Sequence, residues 1–273
     1  MKVKHIIDNE LLKRPIRIAV IGAGGTGSAL LPRLMQIHHA MKETGHPGGL
    51  EVVVYDDDVV SPSNIGRQGF FPCDVGQYKA TVLVNRLNMG WGTSWKGLPK
   101  RITEDTYFDV DIVIGCVDSR GARKAILSAL ERHRTSFYYI DSGNGENTGQ
   151  VLLGEVRKTR TEAYRLPHIG DLFPEMLNDK LDASDDMPSC SVAESLRKQS
   201  LAINMMMAVE ILNLLWTLIH TGTLEYSGKF INLKSGTSVP IKTDTTVWER
   251  MGYVASKTTK RLETTGEEET VST

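Results

Sequence analysis

Apolar positions in this chain fall into short continuous runs separated by amphipathic stretches. Residues 16–21 (IRIAVI), 50–55 (LEVVVY) and 111–117 (DIVIGCV) are such runs, rich in Val and Ile. Short, β-branched and bounded by glycine or polar residues, they predict strands buried on both faces. Residues 28–42, 74–87 and 120–134 pattern as helices, with Pro32 expected in the first turn of its helix, where a missing N–H is tolerated. A short strand is expected at 93–98. Two more, at 137–141 and 150–156, are separated by a glycine-rich turn. This alternation predicts an α/β fold, a doubly wound, Rossmann-like and mostly parallel sheet.

Beyond residue 156 the pattern lapses. Residues 157–195 are polar, acidic in the middle (Asp182, Asp185, Asp186) and broken by Pro167, Pro174 and Pro188. They are expected to form a long crossover loop. Residues 196–219 then predict a long apolar helix that carries Asn204, Glu210, Asn213 and Thr217. A glutamate at mid-span costs about 2.5 kcal/mol or more in lipid, on the aspartate value. Positions 210, 213 and 217 also share one face. The helix is therefore read as a core or interface element, not a membrane span. A C-terminal hairpin is expected from 226–233 and 238–242 around Lys234-Ser235-Gly236. Residues 255–273, rich in Lys, Thr and Glu, are expected to be disordered. The reading is one domain over 1–254 followed by a tail.

Composition narrows the partners. The length of 273 residues is close to the limit of a single core. A net charge of −1, with no basic patch interleaved with aromatics, speaks against nucleic acid and anionic membranes. The N-terminus is charged and does not read as a secretory signal. The three cysteines, Cys73, Cys116 and Cys190, are odd in number and far apart. They make no disulfide framework, which fits a reducing cytoplasm, and without a CxxC pair no structural zinc is expected.

The candidate chemistry follows the strands. Gly22-Ala23-Gly24-Gly25-Thr26-Gly27 comes directly after the first strand. Glycines at 22, 24, 25 and 27 let backbone N–H groups approach an anion at a helix N-terminus. The turn does not separate NAD, FAD and ATP, and a tight turn without ligand also uses it. Asp56 ends the second strand, where an acid bonds ribose hydroxyls. Asp58 is a second ligand candidate, or a solvated loop charge. Asn64, Arg67, Gln68 and Lys79 come next. Arg67 forks onto two phosphate oxygens and Lys79 is a compact point charge. Hydride transfer has little use for two cations on a polyphosphate tail. Adenylation does, because charge moves onto the leaving pyrophosphate. Asp118 emerges from a strand end, suited to Mg²⁺ or to capping the next helix. Cys190, ahead of the long helix, is either a dipole-activated thiol or a small packing residue.

The series GxGGxG, DxD, SNxxRQ, GQxKA and CxD resembles the ThiF/MoeB/HesA family of ubiquitin-activating-type adenylyltransferases, over roughly 16–218. More narrowly, it resembles the ThiF-like proteins of PRTRC plasmid gene clusters. The resemblance implies a homodimer with one adenylation site per subunit. ATP would be used with Mg²⁺ to activate a small ubiquitin-like β-grasp protein that ends in glycine. By that likeness Gly22, Gly24 and Gly27 match the phosphate turn and Asp56 the ribose acid. Asn64, Arg67, Gln68 and Lys79 match the polyphosphate set, Asp118 the magnesium aspartate, and Cys190 the region of a sulfur-handling or thioester cysteine. The chain departs from the family in lacking its two CxxC pairs, in carrying Ser119 for the usual Asn, and in missing an N-terminal RYxRQ element, for which Arg14 or Arg17 is the substitute considered. An NAD-dependent oxidoreductase and a non-catalytic nucleotide-binding scaffold remain the competing readings.

Overall fold

The computed structural model describes residues 2–156, 164–184 and 200–255. A two-residue strand β1 (His5–Ile6) precedes β2 (Ile16–Ile21), β3 (Leu50–Tyr55), β4 (Lys96–Leu98) and β5 (Ile112–Gly115). Then come β6 (Phe137–Asn144), β7 (Thr148–Val156), β8 (Thr223–Leu224), β9 (Tyr226–Asn232) and β10 (Thr237–Lys242). The helices are α1 (Gly25–Glu43), α2 (Lys79–Trp91), α3 (Arg120–Glu131), α4 (Ile169–Leu172), α5 (Ile203–Thr221) and α6 (Thr245–Arg250).

The eight-stranded sheet runs β10-β9-β7-β6-β5-β2-β3-β4. The stretch from β4 through β3, β2 and β5 to β6 is parallel, while β7, β9 and β10 pair antiparallel. The parallel register sets Ile16 beside Leu50 and Ile18 beside Ile112, and ends with Ile21 beside both Tyr55 and Gly115. The carboxyl ends of β2, β3 and β5 therefore share one edge, and the loops after them converge there. The apolar runs are buried as expected: Ile16, Ile18, Val20, Val54, Ile112 and Ile114 are fully covered. The doubly wound, mostly parallel α/β fold is the one predicted.

Several boundaries differ for physical reasons. Pro32 lies well inside α1, not in its first turn, because the helix begins three residues earlier, within the glycine turn. The Ser28 carbonyl loses its helical donor there. The helix expected at 74–87 starts at Lys79. Gly76 takes φ +88° and Val59 bridges to Tyr78, which holds the preceding chain extended. It runs on to Trp91, where Gly92 ends it in the left-handed region. The crossover, expected without regular structure, contains α4 and two 3-10 turns, Pro174–Leu177 and Asp179–Ser184. Asp185, Asp186, Pro188 and Cys190 lie outside the described residues.

The long helix α5 packs against α1 and the sheet. By length and composition it is, among the described residues, the one helix able to cross a membrane. Its Glu210 is nearly buried and holds Lys229 at 2.6 Å, and Tyr226 Oη donates to it at 3.2 Å. A buried acid paired to the sheet marks this as a core helix.

Candidate nucleotide site

A cavity of about 560 Å³ opens over the carboxyl ends of the parallel strands. It is bordered by Gly22, Gly24 and Gly25 after β2, Asp56 and Asp58 after β3, and Asp118 after β5. Arg67, Gln68 and Lys79 border it from the loop before α2 and from the first residue of α2. Gly27 and Asn64 do not.

The glycine turn is shaped by close approach. Gly22 has φ +94°, and a Cβ there would stand 2.5 Å from the Cys116 carbonyl oxygen. A Cβ on Gly27 would strike the Gly22 carbonyl oxygen. Gly27 thus serves helix packing, while Gly24 keeps open space in front of it, with Gln68 Nε2 the nearest atom at 4.0 Å. The turn is fastened to β3 by Asp56, whose carboxylate accepts from Ala23 N–H at 2.6 Å and Asp58 N–H at 2.9 Å. Burial pushes the Asp56 carboxyl above the usual range against those hydrogen bonds.

Lys79 is nearly buried and donates to Asp58 at 2.7 Å, while the Asp58 side chain is 62% exposed. The two therefore form one unit, with the acid at its wet end. Arg67 follows Gly66, which takes φ +82°. Burial lowers the pKa of its guanidinium and the Asp118 charge opposes that shift. Gln68 Oε1 is buried with no hydrogen-bond partner among the described residues. Asn64 accepts from Ser61 N–H at 2.9 Å and so shapes the loop that carries Arg67 and Gln68.

Asp118 had two candidate uses, and the capping use is taken by its neighbour: Ser119 Oγ accepts from Ala122 N–H at 3.2 Å as the N-cap of α3. Among the described residues the Asp118 carboxylate makes no hydrogen bond, and it borders the cavity. No cluster of three metal-ligating side chains occurs among the described residues. A single carboxylate fits Mg²⁺ held mainly by phosphate oxygens. Arg14 and Arg17, the substitutes considered for a partner-reaching arginine, are both tied within their own chain. Arg14 forks onto Asp111 at 2.7 and 2.8 Å, and Arg17 holds Asp109 at 2.5 Å. These lie at the amino ends of β2 and β5, away from the cavity.

Several lining residues escaped the sequence reading. Arg123 on α3 is 3% exposed, and its Nε donates to Asp141 at 3.0 and 3.2 Å. Asn204 on α5 lies so close to the turn that a Cβ on Gly25 would be 2.5 Å from its Nδ2. Thr26 Oγ1 donates to Asn204 Oδ1 at 3.2 Å. Lys100 and Arg101 reach the cavity from the segment after β4. The one available signal for Arg123 was its place on the apolar stripe 123, 126, 127, 130 of its helix.

Fold and cavity together define a doubly wound α/β protein with a charged, glycine-edged cleft at the carboxyl ends of its parallel strands. The chain belongs to the ThiF family, whose profile matches residues 8–245. It is 30% identical over 138 residues to the ATP-dependent ubiquitin transferase-like protein Cap2 of Escherichia coli (strain TW11681), a match covering 47% of this chain and 22% of that protein. It is 28% identical over 168 residues to ubiquitin-like modifier-activating enzyme 5 of Oryza sativa subsp. japonica, over 54% of this chain and 37% of that protein. The matches thus span well under half the length of these curated relatives. Among solved structures it is similar to E. coli MccB with ATP (TM-score 0.55, 16% identity, 86% of this chain and 65% of that one). It is also similar to selenomethionyl PaaA (TM-score 0.57, 15% identity, 86% and 66%). At these identities the structural likeness speaks to the fold alone.

Proposed function

We propose that this protein is an ATP-dependent adenylyltransferase of the ubiquitin-activating type. Its substrate would be the C-terminal carboxylate of a small ubiquitin-like β-grasp protein that ends in glycine. The observation that carries the reading is the convergence of the 22–25 glycine turn, Asp56, Arg67, Lys79 and Asp118 on one cavity. Family membership and the names of the two curated relatives support it.

In this reaction a carboxylate oxygen attacks the α-phosphorus of ATP. The bond from phosphorus to the pyrophosphate oxygen breaks, leaving an acyl-adenylate and pyrophosphate. No base is required, since the carboxylate is already ionised near neutral pH. The protein contributes position and preorganised charge. Backbone N–H groups of the glycine turn meet the phosphates, and Asp56 takes the ribose hydroxyls. Arg67 and Lys79 receive the charge that builds on pyrophosphate. The exposed Asp58 can give Lys79 up to a phosphate. Asp118 is the residue to hold Mg²⁺, which when bound neutralises charge on the phosphates.

Transfer from the adenylate to Cys190 as a thioester is the second step in this reading. Of the described cysteines, Cys116 is unsuited, because burial pushes its thiol up to about 12. A homodimer with one adenylation site per subunit belongs to the same proposal. It is supported by the exposed apolar side chains Leu201, Met205 and Val209 at and before the start of α5. The test is ATP–pyrophosphate exchange with a small β-grasp protein that ends in glycine. Exchange that depends on this protein and its terminal carboxylate is expected. ATP binding without exchange would leave a nucleotide-binding scaffold instead.

A further inference from the structure

Two chemically different sets of side chains border the cavity, one end marked by Gly24 and the other by Gly25. Arg67, Gln68 and Lys79 form one end, with Gln68 the nearest side chain to Gly24. Arg123, Asn144 and Asn204 form the other, with Asn204 against Gly25. If the cations at the first end receive pyrophosphate, displacement in line at phosphorus places the attacking oxygen opposite the leaving one. The second end, which is not assigned to pyrophosphate, is the one left to hold that nucleophile.

That end is built around one residue. Three groups hold the Arg123 guanidinium: Nε donates to Asp141 on β6, and Nη2 donates to the Val117 carbonyl after β5 at 3.0 Å and the Ser142 carbonyl on β6 at 3.2 Å. Its other nitrogen, Nη1, has no hydrogen-bond partner among the described residues, although the residue is 3% exposed and borders the cavity. Asp141, fully buried, also accepts from Tyr139 Oη at 2.9 Å. A guanidinium clamped through Nε and Nη2, on a residue that borders the cavity and with one donor nitrogen left over, is preorganised for an oxygen acceptor.

We propose that the end of the cavity between β6 and α5 is the subsite for the substrate's terminal carboxylate, with Arg123 Nη1 as its principal donor. One carboxylate oxygen attacks phosphorus while the other stays on Arg123 as the carbonyl oxygen of the acyl-adenylate. This rests on the adenylation reading and adds to it the residue that positions the acyl group. Because Asp141 balances the charge of Arg123, the subsite selects through hydrogen-bond geometry more than through net charge.

The test compares two probes by calorimetry, sulfamoyladenosine and its glycylglycyl derivative, a stable mimic of an acyl-adenylate. Wild type should bind the acylated probe at least about tenfold more tightly, the scale of one hydrogen bond at a charged donor. Arg123→Lys keeps the charge beside Asp141 but loses the fork. The pair Arg123→Gln with Asp141→Asn removes both charges together and so keeps the core neutral. Both variants should lose about tenfold of the acyl preference and hold sulfamoyladenosine within about twofold of wild type. Retained nucleotide affinity also shows that each variant is folded. Two results would overturn the subsite: an acyl preference intact in both variants, or both probes weakened equally. Wild type that binds ATP without acyl preference overturns the subsite alone. Wild type that binds neither ATP nor probe overturns the adenylation reading as well.

Discussion

The cavity's two ends each present a nearly buried cation paired to an aspartate, but the aspartates differ. Asp58, the partner of Lys79, is 62% exposed, whereas Asp141, the partner of Arg123, is 0% exposed. Water competes for Asp58, so Lys79 can exchange it for a ligand oxygen at small cost. Asp141 has no such alternative, and releasing it would strand two charges in the core. One end is thus suited to charge that arrives and departs, the other to a fixed geometry. The same contrast appears in the sheet. The loop end lies over parallel strands whose carboxyl ends carry chemistry. The fixed end lies where β6 turns into an antiparallel hairpin and α5 closes over it.

The largest way to break this comparison is Asp141→Ala. It leaves Arg123 buried without its acid and should destabilise the fold by about 3–5 kcal/mol, read from urea denaturation. Replacing both residues by apolar ones of similar size, Arg123→Met with Asp141→Leu, should recover most of that loss. A small effect from Asp141→Ala would mean that the Arg123 end is as adaptable as the other. Next in size, Arg67→Ala and Lys79→Ala should each lower ATP–pyrophosphate exchange about 10²-fold, with unfolding midpoints close to wild type. Wild-type exchange in both would remove the cation end from the chemistry.

Asp118→Asn keeps the side-chain shape and removes its charge. Because Ser119 does the capping, the variant should fold normally. It should raise the Mg²⁺ concentration for half-maximal exchange on the order of tenfold, the scale of one charged contact. An unchanged magnesium titration would make Asp118 a bystander. The smallest effect belongs to Asp58→Asn. Stability should fall by under about 1 kcal/mol, since the Asp58 carboxylate is mostly exposed and water already screens the pair. ATP should bind about two- to threefold more tightly, because Lys79 no longer has a competing acid. Weaker ATP binding would instead make Asp58 a ligand residue, as its place after the second strand first suggested.

Much of this protein was legible in the chain itself, and the reason is local. Buried parallel strands require continuous apolar runs, and the turns after them require glycine where backbones touch, so 16–21, 50–55 and 111–117 and the Gly22 turn were recognisable. Asp56, Arg67, Lys79 and Asp118, which border the cavity, could be singled out because each follows a strand end or its loop within a few residues. Other features depended on contacts far apart in sequence. The start of α2 at Lys79 is set by the left-handed Gly76 and the bridge from Val59 to Tyr78. Which residue caps α3 depends on where the Ser119 hydroxyl points, and local propensity favours Asp and Ser alike. The link from Arg123 to Asp141 spans 18 residues, and that from Thr26 to Asn204 spans 178. The sequence by itself thus determined the sheet, the turn and the cation-bearing loop, because hydrophobic period and backbone sterics act between near neighbours. Only the tertiary structure decided that Asp58 restrains Lys79, that Gly27 and Asn64 support the cavity without lining it, and that Arg123 and Asn204 form its second end. Hydrogen bonds and charge pairing act wherever folding brings groups together, whatever their separation along the chain.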